Sequence, residues 1–173
     1  EMMVFDRIMV DIGDDQSIDN DLSTYSSFLV NMKDMLAKAD NKTLVLIDEF
    51  GSGTEPAAGG AIAEAILSEM DKRGVYGVIT THYTNLKLYA SNDTGVMNGA
   101  MMFDVKNIAP MFQLEMGLPG NSFAFELARK MGLPENIIKD AESRAGEEFV
   151  GIERNLRKIA RNRKALDEKL ERI

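Results

Sequence analysis

The sequence predicts an α/β layer fold. Short apolar runs set off by glycines alternate with longer amphipathic stretches, the pattern of strands interleaved with helices. The run Leu44-Val45-Leu46-Ile47 is apolar at every position, as in a central strand covered by helices on both faces. The chain has 173 residues, 45 % of them hydrophobic, which is enough to fill the core of one compact domain.

Taken in order, strands are predicted at about 4–11, 43–47, 76–80, 100–106 and 111–116, and helices at about 23–39, 57–73, 84–91, 121–131 and from 134 onward. Ser23 is a natural N-cap for the first helix, because its side-chain oxygen accepts from an orphan backbone N–H. The segment 99–116 reads as an antiparallel hairpin, with Asn107 and Pro110 near its turn. After the turn residues Gly117-Leu118-Pro119-Gly120, Asn121 or Ser122 caps the next helix, and Gly132-Leu133-Pro134 breaks it before the last one.

Charge divides the chain at about Gly146. Residues 1–146 hold 22 acids and 12 bases, whereas residues 147–173 hold 6 acids and 8 bases. In the tail, Phe149, Ile152, Leu156, Ile159, Leu166, Leu170 and Ile173 follow a 3-4 spacing whose one vacancy falls on Arg163. That predicts a heptad helix, the start of a coiled coil or a linker, after an α/β body spanning 1–146. A helix packed on its own domain fits the same spacing. Arg154, Arg157, Lys158, Arg161, Arg163 and Lys164 make the tail the one densely basic stretch, readable as a solvated face, a partner contact or a nucleic-acid arm.

The formal charge of -8 argues against a stand-alone nucleic-acid binder, which needs cations to neutralise phosphates. With no cysteine, disulfide frameworks and thiolate metal sites are excluded, and a reducing, cytoplasmic setting is expected. No apolar run approaches the ~20 residues of a membrane-spanning helix, so no membrane partner is expected. The opening Glu1-Met2-Met3-Val4 lacks the order of a signal peptide and fits a piece of a longer chain.

The sharpest chemical signal is Leu44-Val45-Leu46-Ile47-Asp48-Glu49, an apolar strand delivering two carboxylates at its carboxyl end, the edge where open α/β sheets bind ligands. There Asp48 would hold Mg²⁺ through its water shell, and Glu49 would orient or deprotonate a water attacking a γ-phosphate. Alone, the pattern equally fits a buried strand ending in solvated acids. One helix and one strand later, Val78-Ile79-Thr80-Thr81-His82 ends in the single histidine of the chain, able to donate to a γ-phosphate oxygen, although a lone histidine at a strand end also fits a satisfied surface or core residue. Upstream, Ser23 and Thr24 open a helix whose amino terminus suits phosphate, although a plain N-cap explains them as well.

The order of the three elements is the order found in ABC-class P-loop ATPases, and the chain resembles the carboxyl-terminal part of a MutS-family ATPase domain. Asp48-Glu49 resembles the Walker B pair, Gly51-Ser52-Gly53-Thr54 the D-loop that follows it, and Thr81-His82-Tyr83 the family's switch. Leu22-Ser23-Thr24-Tyr25-Ser26-Ser27 and Gly53-Thr54-Glu55-Pro56 are closer to the second, non-mismatch branch than to classical mismatch-repair proteins. The resemblance implies ATP and Mg²⁺ as cofactors. It makes Glu49 and His82 catalytic, Asp48 the residue that carries Mg²⁺, and Gln16, Ser23, Thr24, Ser52 and Gly53 nucleotide contacts, with Ser23 acting on the opposing subunit's nucleotide. It also implies a homodimer acting on DNA or ribosomal RNA, suppressing recombination, and often carrying a separate Smr-type endonuclease domain.

One departure is plain. A Walker A loop needs Gly-Lys-Ser or Gly-Lys-Thr, and none of the fourteen glycines precedes a lysine. The expected fold is therefore a P-loop NTPase fragment lacking the Walker A strand, loop and helix, with a helix-turn-helix and a terminal heptad helix, inactive by itself. The helix-turn-helix over 121–143 carries Glu126, Glu135, Asp140 and Glu142 against Arg129, Lys130 and Lys139, which favours a dimer contact over a DNA reader. Another ABC-class ATPase, or a dimerisation module with no enzyme activity, are the competing readings. The former usually carries Leu-Ser-Gly-Gly where this chain has Leu-Ser-Thr-Tyr.

Overall fold

A computed structural model describes residues 3–12, 24–90, 92, 94–104, 107, 109–120 and 122–146. Gln16, Ser23, Asn121 and the heptad tail 147–173 lie outside the described residues. The chain divides into two compact units, Glu1–Val96 and Met97–Ile173.

The first unit runs β1 (Arg7–Asp11), α1 (Thr24–Lys38), β2 (Thr43–Ile47), α2 (Pro56–Lys72), β3 (Tyr76–Ile79) and α3 (Thr84–Tyr89). Its three strands form a parallel sheet in the order β1-β2-β3, with Val10 beside Leu46 and Leu46 beside Val78. Side chains alternate across a strand, so the sheet has two distinct faces. Val45 and Ile47 point into a core shared with Phe28, Met32 and Met35 of α1 and with Ala63, Leu67 and Met70 of α2. On the opposite face Ile8, Val10, Tyr76 and Val78 are exposed, and Leu44 and Leu46 are half-buried.

The central position of β2 agrees with its apolar sequence, but the expected helices on both faces are found, among the described residues, on one. The cause is topological. When parallel strands are added in chain order, each right-handed crossover returns on the same side as the last.

Local chemistry sets the ends of the elements that carry the site. The last carbonyls of α1 are satisfied by Ala39 N–H on the Met35 oxygen (2.7 Å) and by the guanidinium groups of Arg73 and Arg7, which donate to the Leu36 and Lys38 oxygens. Between α1 and β2, the Asp40 carboxylate accepts from Lys42 N–H (2.9 Å) and from the hydroxyl of fully buried Thr43 (2.9 Å), bonds that hold its pKa below the ordinary value. At the start of α2, Glu55 is the N-cap, accepting from Ala57 N–H (3.0 Å) and Ala58 N–H (2.9 Å), with Pro56 in the first turn.

The second unit opens with the antiparallel hairpin β4 (Gly99–Asp104) and β5 (Ala109–Met116). Asn107 occupies the turn as expected, its backbone and side-chain N–H groups donating to the Asp104 carboxylate at 3.1 and 2.7 Å. Pro110 is also near the turn as expected, as the second residue of β5, opposite Phe103. A two-stranded ribbon tolerates it because each strand leaves one edge unpaired.

Helix α4 (Ala124–Lys130) corrects a second expectation, for its N-cap is Phe123, in the left-handed region at φ 49° with no side-chain cap bond, and not Ser122. Phe123 stacks on Phe103, centroids 5.0 Å apart, so aromatic packing on the hairpin fixes the entry to the helix. At its end, Gly132 N–H donates to the Arg129 oxygen and Leu133 N–H to the Ala128 oxygen, both at 3.0 Å, a Schellman arrangement with Gly132 at φ 82°. A fifth helix, α5 (135–146), follows. Arg129 reaches Glu135 (3.3 Å) and Glu142 (2.6 Å), and Lys130 donates to the Asn107 carbonyl (2.5 Å), so two of the cations of the helix-turn-helix are committed to internal partners. No helix among the described residues is long and apolar enough to cross a membrane.

Candidate functional site

The carboxyl ends of the three parallel strands gather the polar residues. Asp11 closes β1, and its backbone oxygen accepts from Asp48 N–H (2.9 Å) while its carboxylate accepts from the Asn31 side chain of α1 (3.0 Å). Asp48 and Glu49 follow β2 directly, and Thr80, Thr81 and His82 follow β3. The ladder continues past the strands, with Thr80 N–H on the Ile47 oxygen (3.0 Å) and Phe50 N–H on the Thr80 oxygen (2.9 Å). This continuation keeps the two strand ends in step, and it brings His82 Nε2 to 4.0 Å from Glu49 Oε1, both side chains largely in solvent.

Glu49 takes φ 49°, a left-handed conformation that a non-glycine residue adopts at a cost. The turn after it passes through Gly51 at φ 84° and Gly53 at φ 92°, and Ser52 N–H closes onto the Glu49 oxygen (3.0 Å). The segment beyond β3 grips this turn residue by residue. The Thr80 hydroxyl donates to the Asp48 carboxylate and accepts from Glu49 N–H (2.9 Å), Thr81 Oγ1 donates to the Phe50 oxygen (3.3 Å), and the Tyr83 hydroxyl donates to the Gly51 oxygen (2.8 Å). Tyr83 enters a slot walled by glycine. A Cβ on Gly59 would stand 2.5 Å from its oxygen, and one on Gly51 2.9 Å from its ring.

Of the residues predicted from sequence, Asp48, Glu49 and His82 come together at this edge. Ser52 and Gly53 lie on the adjoining turn, where a Cβ on Gly53 would meet Thr24 Cβ at 3.8 Å and Tyr25 N at 3.5 Å, so Thr24 at the start of α1 borders the same turn. Sequence reasoning missed Asp11, Thr80 and the grip of Tyr83. The doubled threonine before the histidine was the available signal, since a strand-end hydroxyl reaches the neighbouring strand's last residues.

The oxygen donors at this edge are of the kind a magnesium ion would take, largely with phosphate and water. No group of three or more His, Cys, Asp or Glu side chains able to hold a metal occurs among the described residues, and Asp11 is bonded to Asn31. Asp48, exposed at the strand end and engaged at one oxygen by Thr80, is the carboxylate that would hold Mg²⁺ in company with substrate phosphates and waters.

The family model MutS domain V matches residues 1–148. The chain belongs to the MutS domain V family. It is 46 % identical over 153 residues to a protein of Halalkalibacterium halodurans named Endonuclease MutS2, covering 88 % of this chain and 20 % of that one. Proteins of the same name from Geobacillus kaustophilus (43 % over 168 residues, 97 % and 21 %) and Staphylococcus carnosus (42 % over 174 residues, 96 % and 22 %) are similarly related. This MutS domain V chain spans about a fifth of the length of these relatives.

Proposed function

We propose that the chain is the Walker B, D-loop and switch portion of an ABC-class ATPase domain, within a homodimeric protein that couples ATP hydrolysis to handling of nucleic acid. The observation that carries this reading is the approach of His82 to Glu49, 4.0 Å apart on the ends of adjacent parallel strands, beside an Asp48 held by Thr80. Glu49 is suited to take a proton from the attacking water, and His82 to donate to a γ-phosphate oxygen as charge builds there. Mg²⁺, when bound near Asp48, supplies charge neutralisation of the phosphates. Ser52 and Gly53 form the D-loop; Gln16, Ser23 and Thr24 add nucleotide contacts, with Ser23 of one subunit facing the nucleotide of the other. Residues 1–146 form the ATPase portion and 147–173 begin a coiled-coil helix or linker.

The acidic body makes direct duplex binding by these residues unfavourable, so the grip on DNA or ribosomal RNA falls to the basic tail or to other parts of the protein. Suppression of recombination and an Smr-type nuclease belong to the same reading through the family resemblance of the motifs, and the relatives' name, Endonuclease MutS2, is in keeping with a nuclease. Calorimetric titration with MgATP tests it. A full-length form carrying an upstream Gly-Lys-Ser or Gly-Lys-Thr loop binds and hydrolyses the nucleotide in a Mg²⁺-dependent way. A full-length form without such a loop, or with one and no turnover, removes the ATPase reading.

A further inference from the structure

We propose that Thr80 is a positioning residue for both carboxylates of the site, an inference that rests on the ATPase reading. Its backbone is fixed between Ile47 and Phe50, N–H to oxygen at 3.0 Å and oxygen to N–H at 2.9 Å, so its side chain has a defined origin between the two strand ends. From there one hydroxyl serves two roles. It donates its hydrogen to Asp48 Oδ1 and accepts the backbone N–H of Glu49 at 2.9 Å.

These roles suit a hydroxyl. The Glu49 N–H is met by an acceptor and the Asp48 carboxylate by a donor, and a hydroxyl supplies both from one position. The acceptor matters because Glu49 sits at φ 49°, where a non-glycine residue persists only if its surroundings hold it. Holding that conformation sets the direction in which the Glu49 side chain leaves the turn, and so its 4.0 Å approach to His82. The donor matters because it fixes which Asp48 oxygen is engaged and which faces outward.

Substitution separates this role from packing, because Thr80 is exposed and valine keeps its shape while removing the oxygen. In the full-length protein, T80V is expected to lower kcat for ATP hydrolysis roughly 10- to 100-fold, the scale of small misplacements of a reacting group, with KM for ATP changed less than about 3-fold. T80S, which retains the hydroxyl, is expected to restore kcat to within about 3-fold of the parent. T80A is measured alongside, and thermal unfolding of all three variants checks that the fold is kept. A T80V kcat equal to the parent's, a loss that T80S fails to restore, or a loss lying in KM alone overturns the proposal. Glu49→Gln in the same assay keeps the two levels apart. If it abolishes turnover while T80V is neutral, the positioning role alone fails, and if it leaves turnover intact, the ATPase reading fails and the positioning role with it.

Discussion

The Tyr83 hydroxyl donates to the Gly51 carbonyl oxygen at 2.8 Å, joining the segment after β3 to the turn after β2 through a slot that the glycines of α2 leave open. A Cβ on Gly59 would meet the Tyr83 oxygen at 2.5 Å, Thr54 Cγ2 at 2.8 Å and the Gly51 oxygen at 3.0 Å. Two effects of Gly59→Ala therefore oppose each other. Helix propensity favours alanine by about 1 kcal/mol, and forcing a methyl into a filled site costs about 1–3 kcal/mol. Because one of the obstructing atoms is backbone and the tyrosine is held at its far end, the steric term wins. G59A is expected to destabilise the chain by up to ~2 kcal/mol in urea titration, the steric cost less the propensity gain, and a raised midpoint would contradict the slot.

The acid side of the stability profile follows from Glu55 and Asp40. Two backbone N–H groups, of Ala57 and Ala58, hold the Glu55 carboxyl below its ordinary value, and Lys42 N–H and the Thr43 hydroxyl do the same for Asp40. A group whose pKa is depressed on folding contributes stability that is fully present above its unfolded value and lost as pH falls through the folded one. Tm is therefore expected to fall as pH drops below about 5. Glu55→Gln makes that fall shallower, and a Tm independent of pH between about 6 and 3 would contradict the capping role.

How far this architecture could be read in advance depended on whether the signal was local. The apolar run of β2, the Asp48-Glu49 step and the alternation of strand and helix are properties of neighbouring residues, and all five strands and five helices appear near their expected positions. Three features were not local. The sheet face left uncovered among the described residues follows from strand order, the capping of α4 by Phe123 from stacking on Phe103, and the hold on Glu49 from a hydroxyl across the sheet. Gly59 and Gly60, adjacent in the interior of a helix, were a legible hint of close approach, since helices otherwise disfavour glycine.

His82 offers a clean separation of structure from activity. Its side chain is 90 % exposed, so His82→Ala is expected to leave unfolding free energy within about 0.5 kcal/mol of the parent. In the full-length protein the same change is expected to lower ATP turnover roughly 100-fold, the scale for removing one donor from developing oxyanion charge. Unaltered turnover would remove His82 from the reaction.

The 173-residue chain itself contains no glycine followed by lysine, so on the proposed ATPase reading the loop that would grip β- and γ-phosphates is not among its residues. Equilibrium dialysis with MgATP is expected to show no saturable binding at micromolar nucleotide, and a phosphate-release assay no steady turnover. Saturable binding with turnover by this chain would contradict the division of labour proposed here.

The most direct test of the central claim is the rate of ATP hydrolysis by the full-length protein with Glu49→Gln, measured at saturating MgATP beside the unaltered protein. Glutamine keeps the size of the side chain and removes the base, so turnover is expected to fall at least about 100-fold while nucleotide affinity stays within a few-fold. Turnover by E49Q at the parent's rate would contradict the account.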